Sequence, residues 1–334
     1  MTTSPSMPTT APETPPGSDS AKKCIHVAVA VIIRAGRVLI ARRLDHAHQG
    51  GLLEFPGGKV ESGETVQQAL VREIREETGL QVPLASLEPV IGIRHDYGDK
   101  QVFLDVWKTT EAQGNAEGRE GQAVDWRAPS ALKDDDFPAA NRPIIRALNL
   151  PGRLAISGAI TSRVAGGSRL KVALAKLDSP LLVLRAPELA VEEYRQLAAQ
   201  ALAVCAEAGI GVILHGQPGW LEEFPGAAGL HLPWREAERL SGRPVPANRW
   251  LGVSCHDSGQ LRHAERLGAD YATLGPVLPT PTHPEQSGLG WAQFEALVAG
   301  ASIPVYGLGG MAPVHENLCR ERGGQGIAGI SYWW

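Results

Sequence analysis

The chain has 334 residues, of which 43% are hydrophobic and 20% charged, and its formal net charge is −4. This length suits two domains of ordinary globular composition. The small negative charge argues against binding to nucleic-acid polymers, which normally shows as a basic excess. The longest apolar runs, such as Val27 to Ile33, are only strand-length, so no membrane span is expected.

The N-terminus and the cysteines indicate the compartment. Residues 1–22 are rich in Pro, Thr and Ser and lack the basic and apolar regions of a signal peptide, which predicts a disordered tail. The cysteines form no CxxC pair, so neither a disulfide framework nor a zinc site is expected. Together these features predict a cytoplasmic protein, and they leave the oligomeric state open. The cysteines are Cys24, Cys205, Cys255 and Cys319.

Residues 23–150 predict an α+β domain with a mixed sheet and flanking helices. Two β-rich runs, Cys24 to Ile33 and Arg37 to Arg43, flank a hairpin turn at Arg34-Ala35-Gly36. A helix is expected from Thr65 to Thr78, with a capping box formed by Thr65 and Gln68 and with Gly79 as the C-cap. Further elements follow as strands at 90–94, 102–109 and 124–126 and a helix that starts near Pro138.

The predicted helix carries three glutamates on one face. At about 100° per residue, Glu73, Glu76 and Glu77 lie on the stripe that bears Val66, Ala69 and Leu70 further back. A solvated run of charges would instead lie opposite the apolar stripe. Like charges three and four residues apart repel each other, and a divalent cation relieves that repulsion. Carboxylate oxygens at this spacing therefore predict a site for Mg²⁺, or Mn²⁺, that binds substrate phosphates.

The glycines before the helix predict a second part of the site. At Gly57-Gly58 the backbone turns from a strand towards the helix, which would let a main-chain carbonyl reach the metal. A simple tight turn is the alternative. Arg72 is expected to hold Glu73 in one rotamer, and Glu64 either assists the acids or complements the helix dipole.

Residues 58–80 fit the Nudix box, G-x5-E-x7-R-E-U-x-E-E-x-G-U with U apolar, at each fixed position. The wider sequence resembles the MutT family of 8-oxo-dGTP diphosphatases. That resemblance rests on the segments 40–43, 53–59, 118–122 and 135–141, together with His48. It implies Mg²⁺-dependent attack of water on the β-phosphorus of 8-oxo-dGTP, which releases 8-oxo-dGMP and pyrophosphate and clears the nucleotide pool of a mutagen. A Nudix hydrolase of another nucleotide is the alternative.

The resemblance also implies roles for individual residues. Asn141 would bond the edge of the oxidised base; the alternative is an N-cap for the helix that follows, and one residue can serve both purposes. Arg43 and His48 are otherwise a surface charge and a loop histidine. The catalytic residues expected are Arg72, Glu73, Glu76 and Glu77. The metal ligands expected are Gly57, Glu73, Glu76, Glu77 and Glu120. The substrate contacts expected are Arg43, His48, Glu54, Phe55, Pro56, Gly57 and Asn141.

Residues 154–334 show a different pattern, with short apolar strands alternating with helices. Eight such units predict a compact (β/α)₈ barrel, with the domain boundary near residue 151 and no closing helix after the last strand. The longest helix is expected at Val191 to Ala208. The strands are expected at 154–157, 181–184, 212–214, 229–232, 251–254, 271–274, 304–306 and 326–330.

This second half resembles thiamine phosphate synthase and its relative TenI, through segments such as 229–232, 251–256 and 307–311. The resemblance implies a phosphate site at the C-terminal face of the barrel, formed by Gly288, Gly309, Gly310 and Ser331. The pattern of the synthase is altered at Pro187, at Leu214-His215-Gly216 and at His283, where the family keeps charged or amide groups for a diphosphate. The TenI histidine falls at Pro276.

Three roles for the barrel follow from these departures. They favour a barrel that binds a phosphorylated small molecule or acts as a scaffold, because little remains to stabilise a pyrophosphate leaving group. An active thiamine phosphate synthase is the alternative. His215, His231, His256 and His283 either line the barrel mouth or are incidental loop residues.

Overall fold

The computed structural model describes residues 24–46, 49–98, 101–280 and 287–334. The predicted tail, His48 and His283 lie outside these ranges. The N-terminal half holds a seven-stranded mixed sheet. Its strands are β1 (Cys24–Arg34), β2 (Arg37–Arg42), β3 (Leu53–Glu54), β4 (Gly57–Lys59), β5 (Glu88–Asp96), β6 (Gln101–Thr109) and β7 (Val124–Arg127). They lie in the order β3-β2-β1-β6-β5, and in addition β4 pairs with β1 and β7 with β2. Its α-helices are α1 (Val66–Thr78) and α2 (Arg142–Asn149).

The central strand β1 is buried on both faces. Val29 and Val31 pack in the apolar cluster on the side of α2, while Ala28, Ala30 and Ile32 pack with α1. Because alternate residues of a strand point to opposite faces, this one strand supplies both cores. The sheet therefore lies between two helices, and the predicted α+β class is confirmed.

Local signals set the predicted turns and caps. Ala35 and Gly36 both have positive φ (49° and 71°), as a two-residue hairpin turn requires, and Arg34 pairs with Arg37 across it. The Thr65 side chain accepts from the amide of Gln68 while the Gln68 side chain accepts from the amide of Thr65. Gly79 ends α1 with φ of 74°. The hairpin and both caps are confirmed. The strand expected before the glycines is β3, whereas Gly57 and Gly58 themselves lie in β4, which was not predicted.

The second half is a closed barrel of eight parallel strands, which confirms the predicted architecture. Its strands are β8 (Arg153–Ile156), β9 (Leu181–Leu184), β10 (Gly211–His215), β11 (Gly229–Leu232), β12 (Trp250–Cys255), β13 (Tyr271–Leu274), β14 (Val305–Leu308) and β15 (Gly326–Gly329). Its helices are α3 (Arg163–Leu174), α4 (Val191–Glu207), α5 (Trp220–Glu223), α6 (Trp234–Ala237), α7 (Ser258–Arg266), α8 (Gly290–Val298) and α9 (Glu316–Glu321). After β15 the buried Trp333 donates through Nε1 to Asp178 (2.6 Å).

The two halves meet at the N-terminal ends of the barrel strands. Arg146 of α2 bonds Asp270, which directly precedes β13, and Ser302 bonds the main chain of Arg94 in β5. The four cysteines are free thiols, as expected. Within the described ranges no helix is both long and apolar enough to cross a membrane.

Candidate active site

The carboxylates of α1 lie against the glycine strand β4. The Gly57 amide donates to the Glu77 carboxylate (3.0 Å), and a Cβ built on Gly58 would lie 2.2 Å from the carboxylate carbon of Glu73. A Cβ on Gly57 would in turn lie 2.1 Å from the carbonyl oxygen of Ala28. Gly57 therefore requires glycine because a side chain there would meet backbone, whereas a side chain at Gly58 would displace the Glu73 carboxylate from its place against β4.

Glu77 lies at the centre of a group of acids. Burial, together with the nearby carboxylates Glu54, Glu73 and Glu120, raises the pKa of Glu77 to about 8, although the bond from Gly57 acts in the opposite direction. Three glutamates, from β3, α1 and a distant loop, thus repel the half-buried carboxylate of Glu77. We call Glu54, Glu73, Glu77 and Glu120 the carboxylate cluster. Such repulsion is relieved by a cation.

Glu54 was expected among the substrate contacts and not among the metal-binding acids. Its carboxylate pairs with Arg43, and burial raises its pKa in spite of that partner. The feature of the sequence that indicates a special role for Glu54 is its charge between two apolar neighbours, Leu53 and Phe55, both of which are buried. Tyr97, also missed, lies close enough for Arg43 to affect its pKa, which burial raises.

Glu120 reaches the cluster because its loop is fastened to the end of α1. The amide of Arg119 and the side-chain amide of Gln122 both donate to the Glu77 carbonyl, at 2.9 and 3.1 Å. The amide of Glu117 donates to the carbonyl of Thr78 (3.0 Å). The last carbonyls of a helix have no partner within it, so this loop satisfies them and places Glu120 beside Glu77.

Arg72 organises the other side of the cluster. Its guanidinium donates to Glu73 (2.8 Å), to Glu64 (2.7 Å) and to Glu76 (3.3 Å). This geometry supports the expected hold on Glu73, and it makes Glu64 the second partner of the arginine. Glu76 is 55% exposed and is the expected ligand that the structure does not bring to Glu77.

The predicted substrate contacts differ in how available their side chains are to a ligand. Asn141 is half-buried, and its side chain makes no hydrogen bond to the described part of the chain; in particular it does not cap α2. Asn141 therefore occupies the N-cap position of α2 without making the side-chain capping bond. Phe55 is 5% exposed and stacks on Phe137, so its side chain belongs to the core rather than to an open binding surface. Pro56 is also buried, and its carbonyl accepts from Ala30.

The donors of the carboxylate cluster fit a divalent metal by their chemistry. Over residues 24–46, 49–98, 101–280 and 287–334, no three acidic, histidine or cysteine side chains are already grouped to hold one ion. Glu73 and Glu76 are turned towards Arg72 instead. Hard carboxylate oxygens around a strongly repulsive centre are nevertheless the donor set that Mg²⁺ takes in proteins.

The barrel holds a separate cavity of about 550 Å³ at the C-terminal ends of its strands. The predicted phosphate residues Gly309, Gly310 and Ser331 line it, and Gly288 is not among the residues that do. His215, His231 and His256 also line the cavity, as one of the two interpretations predicted. Arg185 is the only charged side chain among the lining residues that the structure describes.

The histidines of the cavity are held by neighbours. His231 bonds Ser254 Oγ through Nε2 (2.9 Å) and Tyr271 Oη through Nδ1 (3.1 Å). The ring of His215 stacks on that of His231 with centroids 5.8 Å apart. Burial, with Arg185 and Arg235 nearby, lowers the pKa of His215 to about 4. The cavity therefore presents the neutral imidazoles of His215 and His231 and, among its described lining residues, the single cation Arg185.

The two folds with their sites define a chain that joins a Nudix hydrolase to a barrel of the thiamine phosphate synthase class. Residues 28–147 match the family described as NUDIX domain, and residues 159–332 match the family described as thiamine monophosphate synthase. The chain belongs to both families. Family membership makes its N-terminal half a hydrolase of nucleoside diphosphates linked to a further group.

Three relatives illustrate these matches. The 8-oxo-dGTP diphosphatase of Escherichia coli (strain K12) is 39% identical over 127 residues, which cover 38% of this chain and 97% of that protein. The CTP pyrophosphohydrolase of the same organism is 35% identical over 125 residues, 37% of this chain and 91% of that protein. The putative thiamine-phosphate synthase 2 of Aquifex aeolicus (strain VF5) is 36% identical over 105 residues, 31% of this chain. The match spans 56% of that synthase.

Proposed function

We propose that the N-terminal half hydrolyses a nucleoside triphosphate to a monophosphate and pyrophosphate in the presence of Mg²⁺, with 8-oxo-dGTP as its preferred substrate. The observation that carries the proposal is the carboxylate cluster, in which β3, α1 and the 117–122 loop bring acids to the glycines of β4. The two Escherichia coli relatives are named for different nucleotides, so they support the hydrolysis reaction more strongly than they support one particular base.

Glu73, Glu77, Glu120 and the main chain of Gly57 would hold the metal, and Glu76 would complete the set by turning away from Arg72. A bound Mg²⁺ would offset the charge of the substrate phosphates. The residues of the chain prepare this site: Arg72 fixes Glu73, the Gly57 amide fixes Glu77, and the loop after Gly118 carries Glu120.

Asn141 is proposed to select the base. A side-chain amide presents a donor and an acceptor together, which suits a purine edge. The half-buried amide of Asn141 has no partner in the described chain, so it is available to a ligand. Arg43, paired with Glu54 and close to Tyr97, is the proposed nucleotide contact on the other side of the carboxylate cluster.

For the barrel we propose binding of a phosphorylated small molecule without synthase turnover. The glycines Gly309 and Gly310 and the cation Arg185 line one cavity, which suits a single phosphate. None of the described lining residues is a carboxylate. The family match of residues 159–332 favours the alternative, an active thiamine phosphate synthase, and a product assay with both thiamine precursors distinguishes the two.

The proposed hydrolase is tested by measuring products of the full-length protein. The substrates are 8-oxo-dGTP, dGTP, 8-oxo-GTP, CTP and ADP-ribose, each with and without Mg²⁺. We expect Mg²⁺-dependent release of pyrophosphate with the highest kcat/KM on 8-oxo-dGTP. A higher kcat/KM on CTP, or hydrolysis that does not need a divalent metal, would contradict the proposal.

A further inference from the structure

The helix that carries Asn141 at its start is anchored at its other end in the barrel. Leu150, just after α2, is 5% exposed and packs among barrel residues that include Tyr271 and Tyr306. Gln325, 6% exposed, donates its side-chain amide to the carbonyls of Ala147 (3.0 Å) and Leu150 (3.2 Å). The barrel thus satisfies carbonyls that the end of a helix leaves without partners.

A chain of charges makes a second connection. Arg146 of α2 donates through Nε to the Asp270 carboxylate (2.5 Å) and through Nη1 to Asp134 (2.9 Å). Asp270 is 4% exposed, and its other oxygen accepts from Arg243 (2.8 Å) and from the amide of Leu251 (2.7 Å). One barrel carboxylate therefore fixes α2, and through Asp134 the same arginine fixes the segment that leads into Asn141.

Because α2 is anchored at its barrel end, a small tilt there would move Asn141 at its other end. A helix of eight residues is about 12 Å long, so a tilt of roughly 5° at its barrel end moves its start by about 1 Å. A displacement of about 1 Å from a productive geometry is enough to change rates by orders of magnitude. Within the described chain, both hydrogen bonds of the Gln325 side chain go to α2 and the residue after it.

We infer that the barrel sets the base selectivity of the hydrolase, with Arg146, Asp270 and Gln325 as residues that position Asn141. This inference rests on the role proposed for Asn141. It gives the fused barrel a function at its N-terminal face that is independent of whatever its cavity binds at the opposite face.

The test compares full-length Gln325→Met with Ser179→Ala. Ser179 is also buried at the N-terminal face, and the two backbone carbonyls within reach of its hydroxyl, those of Arg153 (2.7 Å) and Leu181 (2.8 Å), both belong to the barrel. We expect Gln325→Met to lower the ratio of kcat/KM for 8-oxo-dGTP over dGTP by about 10-fold, mainly through KM, with kcat on dGTP nearly unchanged. Ser179→Ala should reduce Tm without altering the ratio. Equal ratios in both variants would overturn the inference.

Two further measurements separate this inference from the proposed function. Amide hydrogen exchange in α2 should be faster in Gln325→Met than in the wild type or in Ser179→Ala; unchanged exchange would overturn the anchorage itself. A wild type that does not prefer 8-oxo-dGTP would refute the proposed function alone. In that case the double variant of Asn141→Ala and Gln325→Met, assayed for KM on the nucleotide that is hydrolysed, decides the matter. Non-additive effects support positioning through Asn141, and additive effects contradict it.

Discussion

The amide of Gly57 donates to the carboxylate of Glu77 at 3.0 Å, and this bond joins the short strand β4 to the helix that holds the acids. It stabilises a negative charge that burial and three neighbouring glutamates disfavour. The hydrogen bond therefore holds the Glu77 side chain in one position even when its carboxyl group is protonated. A site of this kind is prepared for a cation by geometry.

Glu77→Gln tests the metal directly. Because the pKa of Glu77 is about 8, a neutral isostere should change the stability of the metal-free protein little at pH 7. It should nevertheless remove the rise in Tm that Mg²⁺ gives the wild type and lower kcat by about 100-fold or more. Thermal unfolding with and without Mg²⁺ measures the first effect. Glu88→Gln, which changes a surface partner of Lys108, is the matched control. A normal Mg²⁺ shift in Glu77→Gln would contradict the assignment.

Gly58→Ala tests the close approach of Glu73. The added Cβ would lie 2.2 Å from the carboxylate carbon, so Glu73 must move away from the cluster. We expect kcat/KM to fall by about 100-fold. Gly226→Ala, where a Cβ meets nothing within 4 Å, should leave the activity unchanged. Wild-type activity in Gly58→Ala would show that the position of Glu73 against β4 is unimportant.

Asn141→Ala tests base recognition. Loss of a buried base-edge hydrogen bond should cost about 1–3 kcal/mol, which is roughly a 5- to 150-fold fall in kcat/KM for 8-oxo-dGTP. The rate on dGTP should hardly change, because the carboxylate cluster is untouched. Steady-state kinetics on both nucleotides measure the difference. An equal loss on both would mean that Asn141 supports the fold rather than the choice of base.

The barrel cavity is tested with inorganic phosphate and with the thiamine precursors. Phosphate should raise the Tm of the wild type, and Arg185→Met should abolish that rise, whereas Arg266→Met, outside the cavity, should not. The wild type should form thiamine phosphate far more slowly than roughly 1 per second, a typical biosynthetic rate. Turnover at that rate would establish the synthase alternative.

His215 predicts an acid-sensitive stability. Its pKa is about 4 in the folded protein against an ordinary value of 6.5, so the unfolded chain binds a proton that the folded chain excludes. The free energy of unfolding should therefore be fully retained above pH 6.5 and fall as the pH drops towards 4, by at most about 3 kcal/mol from this group. Burial also lowers the pKa of His231, which adds to the loss. Urea unfolding across this range should give a shallower pH dependence for His215→Asn, and identical curves would contradict the prediction.

The sequence by itself determined the elements whose signals are local. The capping box at Thr65, the left-handed Gly79 and the continuous apolar run of β1 are local, so composition and spacing were enough to predict them. The order of the acids in α1 follows from helix geometry in the same way. The eight barrel strands could be counted because each is a short apolar run between helices.

Only the tertiary structure decided which distant residues share a site. Glu54 joins the acids because β3 lies beside β2, and Glu120 joins them because its loop satisfies the end of α1. The sequence offered Asn141 both a cap and a ligand contact, and packing left its side chain without a bond. The hold of Asp270 on Arg146 spans 124 positions of the chain. Such contacts depend on how complete elements pack, and no pattern within one element records them.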